Sequence, residues 1–303
     1  SAYVVVAFDY GKKTFRNDLL DQYKATRKET PDELKCQFAM VREFLEAYQI
    51  PYYEMEGYEG DDLIGTLSKL GEEQGLTVSI FTGDKDAFQL VSKQTTVYRT
   101  VKGVTQLDVY TPETIQEKYG LVPDQIRDFL GLMGDSADNI PGIKGVGEKT
   151  ALKLLHEYGT IENLKEHMHE IKGKMGEKIR ENIDIGLQSK KIATILRDVP
   201  MTLDLNQARY DGYDFEKLKA FYTHYDMNSL LKKISVESRP TSKTDFQYEV
   251  VQKMPPIQED SSVLGAIYDQ NYHKSIVLGY ALYNAHQAYF ITFEDALKDQ
   301  QFL

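Results

Sequence analysis

Every strand-like run in the first 234 residues lies before Pro112, and every segment from Pro112 to Ile234 reads as helix. That division narrows the folds open to the chain more than any other feature: an α/β half is followed by an all-α half. The run YVVVAF (residues 3–8) is continuously apolar and β-branched and stops at Asp9, the pattern of a buried parallel strand. A short strand from Pro51 to Met55 and a second apolar run, TVSIF (77–81), alternate with helices. One helix opens at Thr30-Pro31-Asp32-Glu33, with Pro in its first turn, and another runs from Glu59 to about Gly75. Strand, helix, strand, helix with short polar joints predicts a doubly wound sheet, with VYRT (97–100) and GVTQLDVY (103–110) as a hairpin or edge pair. Helices are predicted near 112–119, 123–133, 147–157, 160–168, 175–186 and 214–233.

Residues 235–260 are rich in Ser, Pro, Thr and charge and read as a linker. Beyond them, 263–269, 275–283 and 287–293 alternate like strands of a further domain, 261–303. The chain enters its first strand almost at residue 1 and stops before that last domain buries a core, the pattern of a longer fold cut at both ends. The single cysteine, Cys36, excludes a disulfide framework and a cysteine-built zinc site and suits a reducing cytoplasm. No apolar run approaches the roughly 20 residues of a membrane span, and the start lacks a signal peptide's basic lead. With 36 basic and 47 acidic residues, net −11, broad coating by a polyanion is disfavoured. Local basic clusters, and a metal to hold the excess acid, remain compatible with nucleic acid.

Acids recur at the predicted sheet edge: Asp9 ends one strand, Glu59, Asp61 and Asp62 begin a helix, and Asp84 and Asp86 follow another strand. Ligands of open α/β sheets sit beyond the carboxyl ends of the strands, so these acids are placed to converge. A converging carboxylate cluster repels itself unless a cation is bound, and oxygen-only ligands favour Mg²⁺ or Mn²⁺ over zinc. The plainer reading of Glu59, Asp61 and Asp62 is charge at a helix N-terminus, and that of Asp84 and Asp86 a loop with a cap. Gly134-Asp135-Ser136-Ala137-Asp138-Asn139-Ile140-Pro141-Gly142 adds Asp135 and Asp138 and leads into Lys144-Gly145-Val146-Gly147-Glu148-Lys149-Thr150. Two glycines around one apolar residue, just before a helix, make a tight hairpin with exposed N–H groups. This resembles the hairpin of helix–hairpin–helix motifs that grip the DNA backbone. A nucleotide-binding P-loop fails: Glu148 stands at the lysine position and no strand precedes.

The basic stretch 10–30 reads either as a solvated loop or as a lid whose Lys24 and Arg27 reach a scissile phosphate. Lys172, Lys174, Lys178, Arg180, Lys190, Lys191 and Arg197 could extend a duplex-binding face, though helical surfaces carry such residues routinely. Tyr10 and Tyr23 beside the lid are candidate stacking partners for bases.

The segments VVVAFD, TFR, YKATR, TPDEL, YEGDDLIGTL, FTGDKDAFQL and GLMGDSADNIPGIKGVGEKTA stand in an order and spacing that resembles the 5′ nuclease domain of bacterial DNA polymerase I, of the flap endonuclease superfamily, over residues 3–234. Residues 245–303 resemble the start of that polymerase's 3′–5′ exonuclease-like domain. The resemblance implies a PIN-like, flap-endonuclease-type parallel sheet (1–111), then an all-α helix-three-turn-helix DNA-binding subdomain (112–234). The linker and a partial, inactive exonuclease-like domain would follow. It implies that Asp9, Glu59, Asp61, Asp62, Asp84, Asp86, Asp135 and Asp138 hold two or more Mg²⁺ or Mn²⁺ ions. Arg16, Lys24 and Arg27 match the family's catalytic helical arch. Lys144, Gly145, Val146, Gly147, Lys149 and Thr150 match its duplex-binding hairpin, where K⁺ can bind.

The partner implied is DNA with a 5′ flap, nick or 5′ end, cut during primer removal and repair by a monomer in the cytoplasm, at the nucleoid. The rest of the polymerase would lie in cis, and no membrane would be involved. A non-catalytic helix–hairpin–helix module and a free-standing 5′–3′ exonuclease are the competing readings. Three departures stand out. The family's first strand, with an Asp in an L-x-D-G-type motif, would precede residue 1; Gly60 replaces the usual Ala; and the tail has no D-x-E pair to support proofreading metals.

Overall fold

The computed structural model describes residues 3–102, 106–237, 248–255, 263–268, 277–284 and 287–299. Its α/β part begins with β1 (Val6–Ala7), α1 (Phe15–Leu19), α2 (Asp32–Ala47), β2 (Tyr52–Tyr53) and α3 (Gly60–Glu73). It continues with β3 (Val78–Thr82), a 3₁₀ turn at Asp86–Leu90, β4 (Thr95–Lys102) and β5 (Gln106–Tyr110). β1 pairs in parallel with β2, Val6 opposite Tyr52 and Ala7 opposite Tyr53. β3 pairs in parallel with β4, and β4 antiparallel with β5. Among the described residues these are two separate sheets rather than one doubly wound sheet. The reason lies in β1: Val4 to Phe8 are only half-buried, so the apolar run has two ladder residues instead of six. High β-propensity extends a strand only where a neighbour supplies a ladder and a packed face. At α2 the Pro falls at the N-cap, Pro31, without a side-chain cap.

The helical part follows as α4 (Pro112–Tyr119), α5 (Ile126–Met133), α6 (Glu148–Tyr158), α7 (Ile161–His167), α8 (Gly173–Ala193), α9 (Leu205–Ala208), α10 (Phe215–His224) and α11 (Asn228–Glu237). Local signals set these boundaries. Thr111 caps α4 through the Thr114 amide, Pro112 enters the first turn, and Gly120 ends it in the left-handed region. The single helix predicted over 214–233 is broken, because Asp226 takes φ +53 and ends α10. One core joins the two parts: Phe88, Leu90 and Val97 beside the sheet pack with Ile115, Leu121, Leu132, Leu155, Ile161, Leu164, Ile179 and Ile192 of the helices. Each such side chain contributes about 1.5–3 kcal/mol on burial. That shared core fixes the end of β3 against the loop after α5, where the predicted acids lie.

By contacts the chain divides into Ser1–Leu231 and Lys232–Leu303. In the second unit β6 (Tyr248–Val250), β7 (Val263–Tyr268), β8 (Val277–Asn284) and β9 (Gln287–Thr292) form a sheet ordered β6-β9-β8-β7, followed by α12 (Phe293–Ala296). Tyr248–Val250 fall within the predicted linker but pair in parallel with β9, so that reading is corrected there. Residues 238–247 and 256–260 of the linker lie outside the described residues. Its small core is Met254, Leu282, Ile291 and Ala296. No described helix is long and apolar enough to cross a membrane.

Candidate metal and nucleic-acid site

Four chain segments carry the acids, and local geometry holds each in place. Asp9 follows β1, and its Oδ1 accepts the Gly60 amide at 2.7 Å, tying that strand end to the start of α3. A methyl on Gly60 would meet Asp9 Oδ1 at 3.4 Å, an ordinary contact, so the family's usual Ala fits here. Glu59 is the N-cap of α3, with Asp61 and Asp62 in its first turn, where the helix dipole favours negative charge. Asp84 follows β3 and accepts the Asp86 amide at 2.9 Å. Asp135 and Asp138 sit in a loop closed by paired backbone bonds between Asp135 and Ile140, at 2.9 and 2.7 Å. Gly134 and Gly142 flank that loop with φ +75 and +61, and a Cβ on Gly142 would lie 2.3 Å from the Gly134 nitrogen. Gly142→Ala is therefore expected to destabilise the first unit by about 3 kcal/mol or more, read as a lowered urea midpoint. An unchanged midpoint would mean that the loop relaxes freely.

The acids share one field. Burial, then Asp84, Glu59 and Asp9, push the Asp61 carboxyl up to about 7 from its ordinary 3.8. Burial, then Asp84, Asp135, Asp138 and Asp61, push Asp86 up to about 8. Some of the charge is offset from within. Lys24 Nζ lies 2.7 Å from Glu59 Oε2 and 3.7 Å from Asp138 Oδ2, and Arg27 pairs with Asp138. Tyr23 is buried and donates its hydroxyl to Glu59 at 3.2 Å and Asp138 at 3.3 Å, and burial beside Glu59 raises its pKa. Among the described residues no lysine or arginine pairs with Asp9, Asp61, Asp84, Asp86 or Asp135. An all-oxygen set with unmatched negative charge fits a hard divalent cation. As they stand, no three such side chains among the described residues close around a single ion position.

The raised carboxyls make a pH prediction. Both bind a proton more tightly in the folded chain than in the unfolded one. Their contribution to stability is complete below the unfolded pKa and is lost as pH rises through about 7 to 8. In chelator, Tm is expected to fall by a few degrees from about pH 6 to about pH 8.5; a rising Tm would contradict the shared field.

Arg16, Asp62 and Tyr23 depart from the sequence expectation. Arg16 and Asp62 are 3% and 0% exposed and are turned to each other, with Arg16 Nη1 also 3.9 Å from Glu59 Oε2. Arg16 is held bidentately by Asp62, at 2.6 and 2.8 Å. The expected stacking role of Tyr23 is corrected for the same reason, because its ring is buried; Tyr10 is exposed. The role Tyr23 takes instead, donating to Glu59 and Asp138, has no signal in the sequence beyond its adjacency to Lys24.

The hairpin after the acidic loop is built as its sequence suggests. Gly145 takes φ +83, Val146 is buried in the core, and Gly147 N-caps α6 without a side-chain cap. Lys144 and Lys149 are exposed and Thr150 is half-buried. Lys178 of α8 lies against Gly145, its Nζ 2.7 Å from where a Cβ would stand. A shallow, open face continues along α6 through Lys149, Leu152, Lys153, His156 and Glu157. Other basic residues of the helical half are engaged elsewhere. Lys190 pairs with Asp128 and Glu162, Arg197 with Glu72, and Arg180 donates to the Met168 and Ile171 carbonyls.

The sequence matches the model of the 5′-3′ exonuclease N-terminal resolvase-like domain over residues 1–120 and that of its C-terminal SAM fold over residues 121–216. It is 44% identical over 308 residues to DNA polymerase I of Bacillus caldotenax, covering 99% of this chain and 35% of the relative. It is 42% identical over 307 residues to DNA polymerase I of Bacillus subtilis (strain 168), with the same coverage. The chain thus spans about a third of the length of these curated relatives. In fold it is similar to T5 5′-exonuclease with zinc bound, at TM-score 0.54 and 21% identity, covering 64% of this chain and 74% of that one. The T5 D15 flap endonuclease in complex with DNA and metal ions gives TM-score 0.54 at 18% identity, covering 78% and 84%. The two domain matches run unbroken in order from residue 1 to 216, and the chain belongs to the 5′-3′ exonuclease family.

Proposed function

We propose that this chain hydrolyses phosphodiester bonds at 5′ ends and 5′ flaps of duplex DNA, with divalent cations held by its acidic crevice. The observation that carries this reading is the shared field of acids from four segments, in which, among the described residues, Asp9, Asp61, Asp84, Asp86 and Asp135 have no lysine or arginine paired with them. Those five are the proposed metal ligands, with Glu59 and Asp138 joining once Lys24 and Arg27 turn to a substrate phosphate. Two or more Mg²⁺ or Mn²⁺ ions would lower the pKa of a bound water and stabilise the leaving oxygen. Lys24 and Arg27 sit at the rim of the acids and are positioned to offset charge developing on the scissile phosphate. The hairpin Lys144–Thr150, with Lys178 beside it, would hold the duplex backbone through its amides and ammonium groups, and its carbonyls could take K⁺.

The proposed division follows: a nuclease subdomain over 1–111, a DNA-binding subdomain over 112–234 and an inactive exonuclease-like segment after the linker. The chain would act as a monomeric unit, in cis with a polymerase, on nucleoid DNA in the cytoplasm. The test is cleavage of an end-labelled 5′-flap duplex with Mg²⁺ or with chelator. Mg²⁺-dependent release of the flap, leaving a 5′-phosphate on the downstream strand, is expected. Binding without cleavage under both conditions would favour the non-catalytic helix–hairpin–helix reading instead.

Holding and cutting should separate. Lys149→Ala is expected to weaken duplex binding severalfold and to reduce the slope of log affinity against log salt by about 1. Equal salt slopes in the variant and the parent would remove Lys149 from the interface.

A further inference from the structure

Asp62 has nothing left to offer an ion. It is 0% exposed, and its two oxygens accept four hydrogen bonds: Arg16 Nη1 at 2.6 Å and the Glu59 amide at 3.1 Å on Oδ2, and Arg16 Nη2 at 2.8 Å and the Leu196 amide at 2.9 Å on Oδ1. A carboxylate has about four lone-pair directions, so the acceptor capacity is filled. Arg16 is equally committed. Its Nε donates to the Ile192 carbonyl at 2.8 Å and its Nη2 also donates to the Thr194 carbonyl at 2.9 Å. Only a guanidinium can make this set, because a lysine has neither the planar fork nor enough directed donors.

The pair therefore joins three segments distant in sequence. One is α1, which leads into the basic stretch; the second is the start of α3, which carries Glu59 and Asp61; the third is the exit of α8, Ile192 to Leu196. Neighbouring contacts brace the same junction: Gln188 donates to the Leu19 carbonyl at 2.6 Å, and Gln89 bonds to Ala193 and Ile195. Downstream of α1 the chain delivers Tyr23, Lys24 and Arg27 to Glu59 and Asp138. We propose that Arg16 and Asp62 are positioning residues of the nuclease site, touching neither metal nor DNA, which lock segment 14–27 onto α3 so that Lys24 and Arg27 face the crevice. This rests on the nuclease reading above for its function, but its geometry can be tested apart from cleavage.

The test compares Asp62→Asn, Arg16→Lys and Asp86→Asn in the full chain. Mn²⁺ binding is measured by calorimetry, and amide hydrogen exchange is followed at 14–27 and 192–197. The ion count in Asp62→Asn is expected to equal that of the parent, with a smaller loss of Mn²⁺ affinity than in Asp86→Asn. Exchange in both segments is expected to quicken about tenfold or more in Asp62→Asn and Arg16→Lys, and to stay unchanged in Asp86→Asn. Loss of an ion in Asp62→Asn with parental exchange at 14–27 would overturn the proposal. If Asp62→Asn does not fold, Arg16→Lys decides: it keeps every carboxylate, so parental exchange there would also overturn it. A parent chain that binds Mn²⁺ but never cuts flaps would remove the nuclease reading alone, and the exchange and ion-count results would still decide the clamp.

Discussion

Asp86→Asn is expected to abolish flap cleavage while making the metal-free protein more stable. Asp86 sits where burial and Asp84, Asp135, Asp138 and Asp61 all oppose its charge. Removing that charge relieves repulsion from its neighbours, and among the described residues no lysine or arginine pairs with Asp86, so Tm in chelator at about pH 8.5 should rise by a few degrees. The same change removes an oxygen ligand from the proposed metal crevice. Losing several kcal/mol of cation-borne charge stabilisation corresponds to a rate loss on the order of 10³-fold. Duplex affinity should stay close to that of the parent, because the hairpin is separate from the carboxylates. Single-turnover cleavage and a thermal melt of the same preparation check both halves. A variant that loses activity and stability together would point to a structural carboxylate.

Arg16→Met is expected to have the opposite profile, a large loss of stability with the metal ligands left in place. Methionine keeps much of the volume but leaves Asp62 buried without its bidentate partner, and leaves the Ile192 and Thr194 carbonyls without a donor. Breaking a buried pair from one side costs about 3–5 kcal/mol. A clearly lowered urea midpoint for the first unit is therefore expected. The double change Arg16→Met with Asp62→Leu should recover part of it, because no buried charge remains; the recovery should be incomplete, since the Glu59 and Leu196 amides lose an acceptor. A single variant as stable as the parent would show that solvent reaches Asp62.

These contrasts mark where sequence reasoning works and where it stops. The turn from α/β to all-α at Pro112 is legible because caps are local: Thr111, Pro112 and Gly120 bracket α4 within ten residues. The hairpin at Gly145–Gly147 is legible for the same reason, since a tight turn before a helix needs those residues where they stand. The acids are visible as residues at strand ends and helix starts. The division among them is not: Asp61 and Asp62 are adjacent, yet one is half-buried among other carboxylates and its neighbour faces Arg16, 46 positions away. Helical geometry points consecutive side chains about 100° apart, and only the partner tells which face is the crevice. The extent of β1 and the placement of β6 depend on pairing between distant segments, which no local pattern reports.

The most direct test is crystallographic. Anomalous diffraction at a Mn²⁺-sensitive wavelength, from crystals soaked at a concentration that supports cleavage, would locate the ions themselves. Peaks within about 2 Å of carboxylate oxygens drawn from Asp9, Asp61, Asp84, Asp86 and Asp135, with Asp62 still bound to Arg16, are the result expected. A crevice without a peak under those conditions, or manganese bound only elsewhere on the chain, would contradict the assignment of this acidic field as the metal centre of a 5′ nuclease.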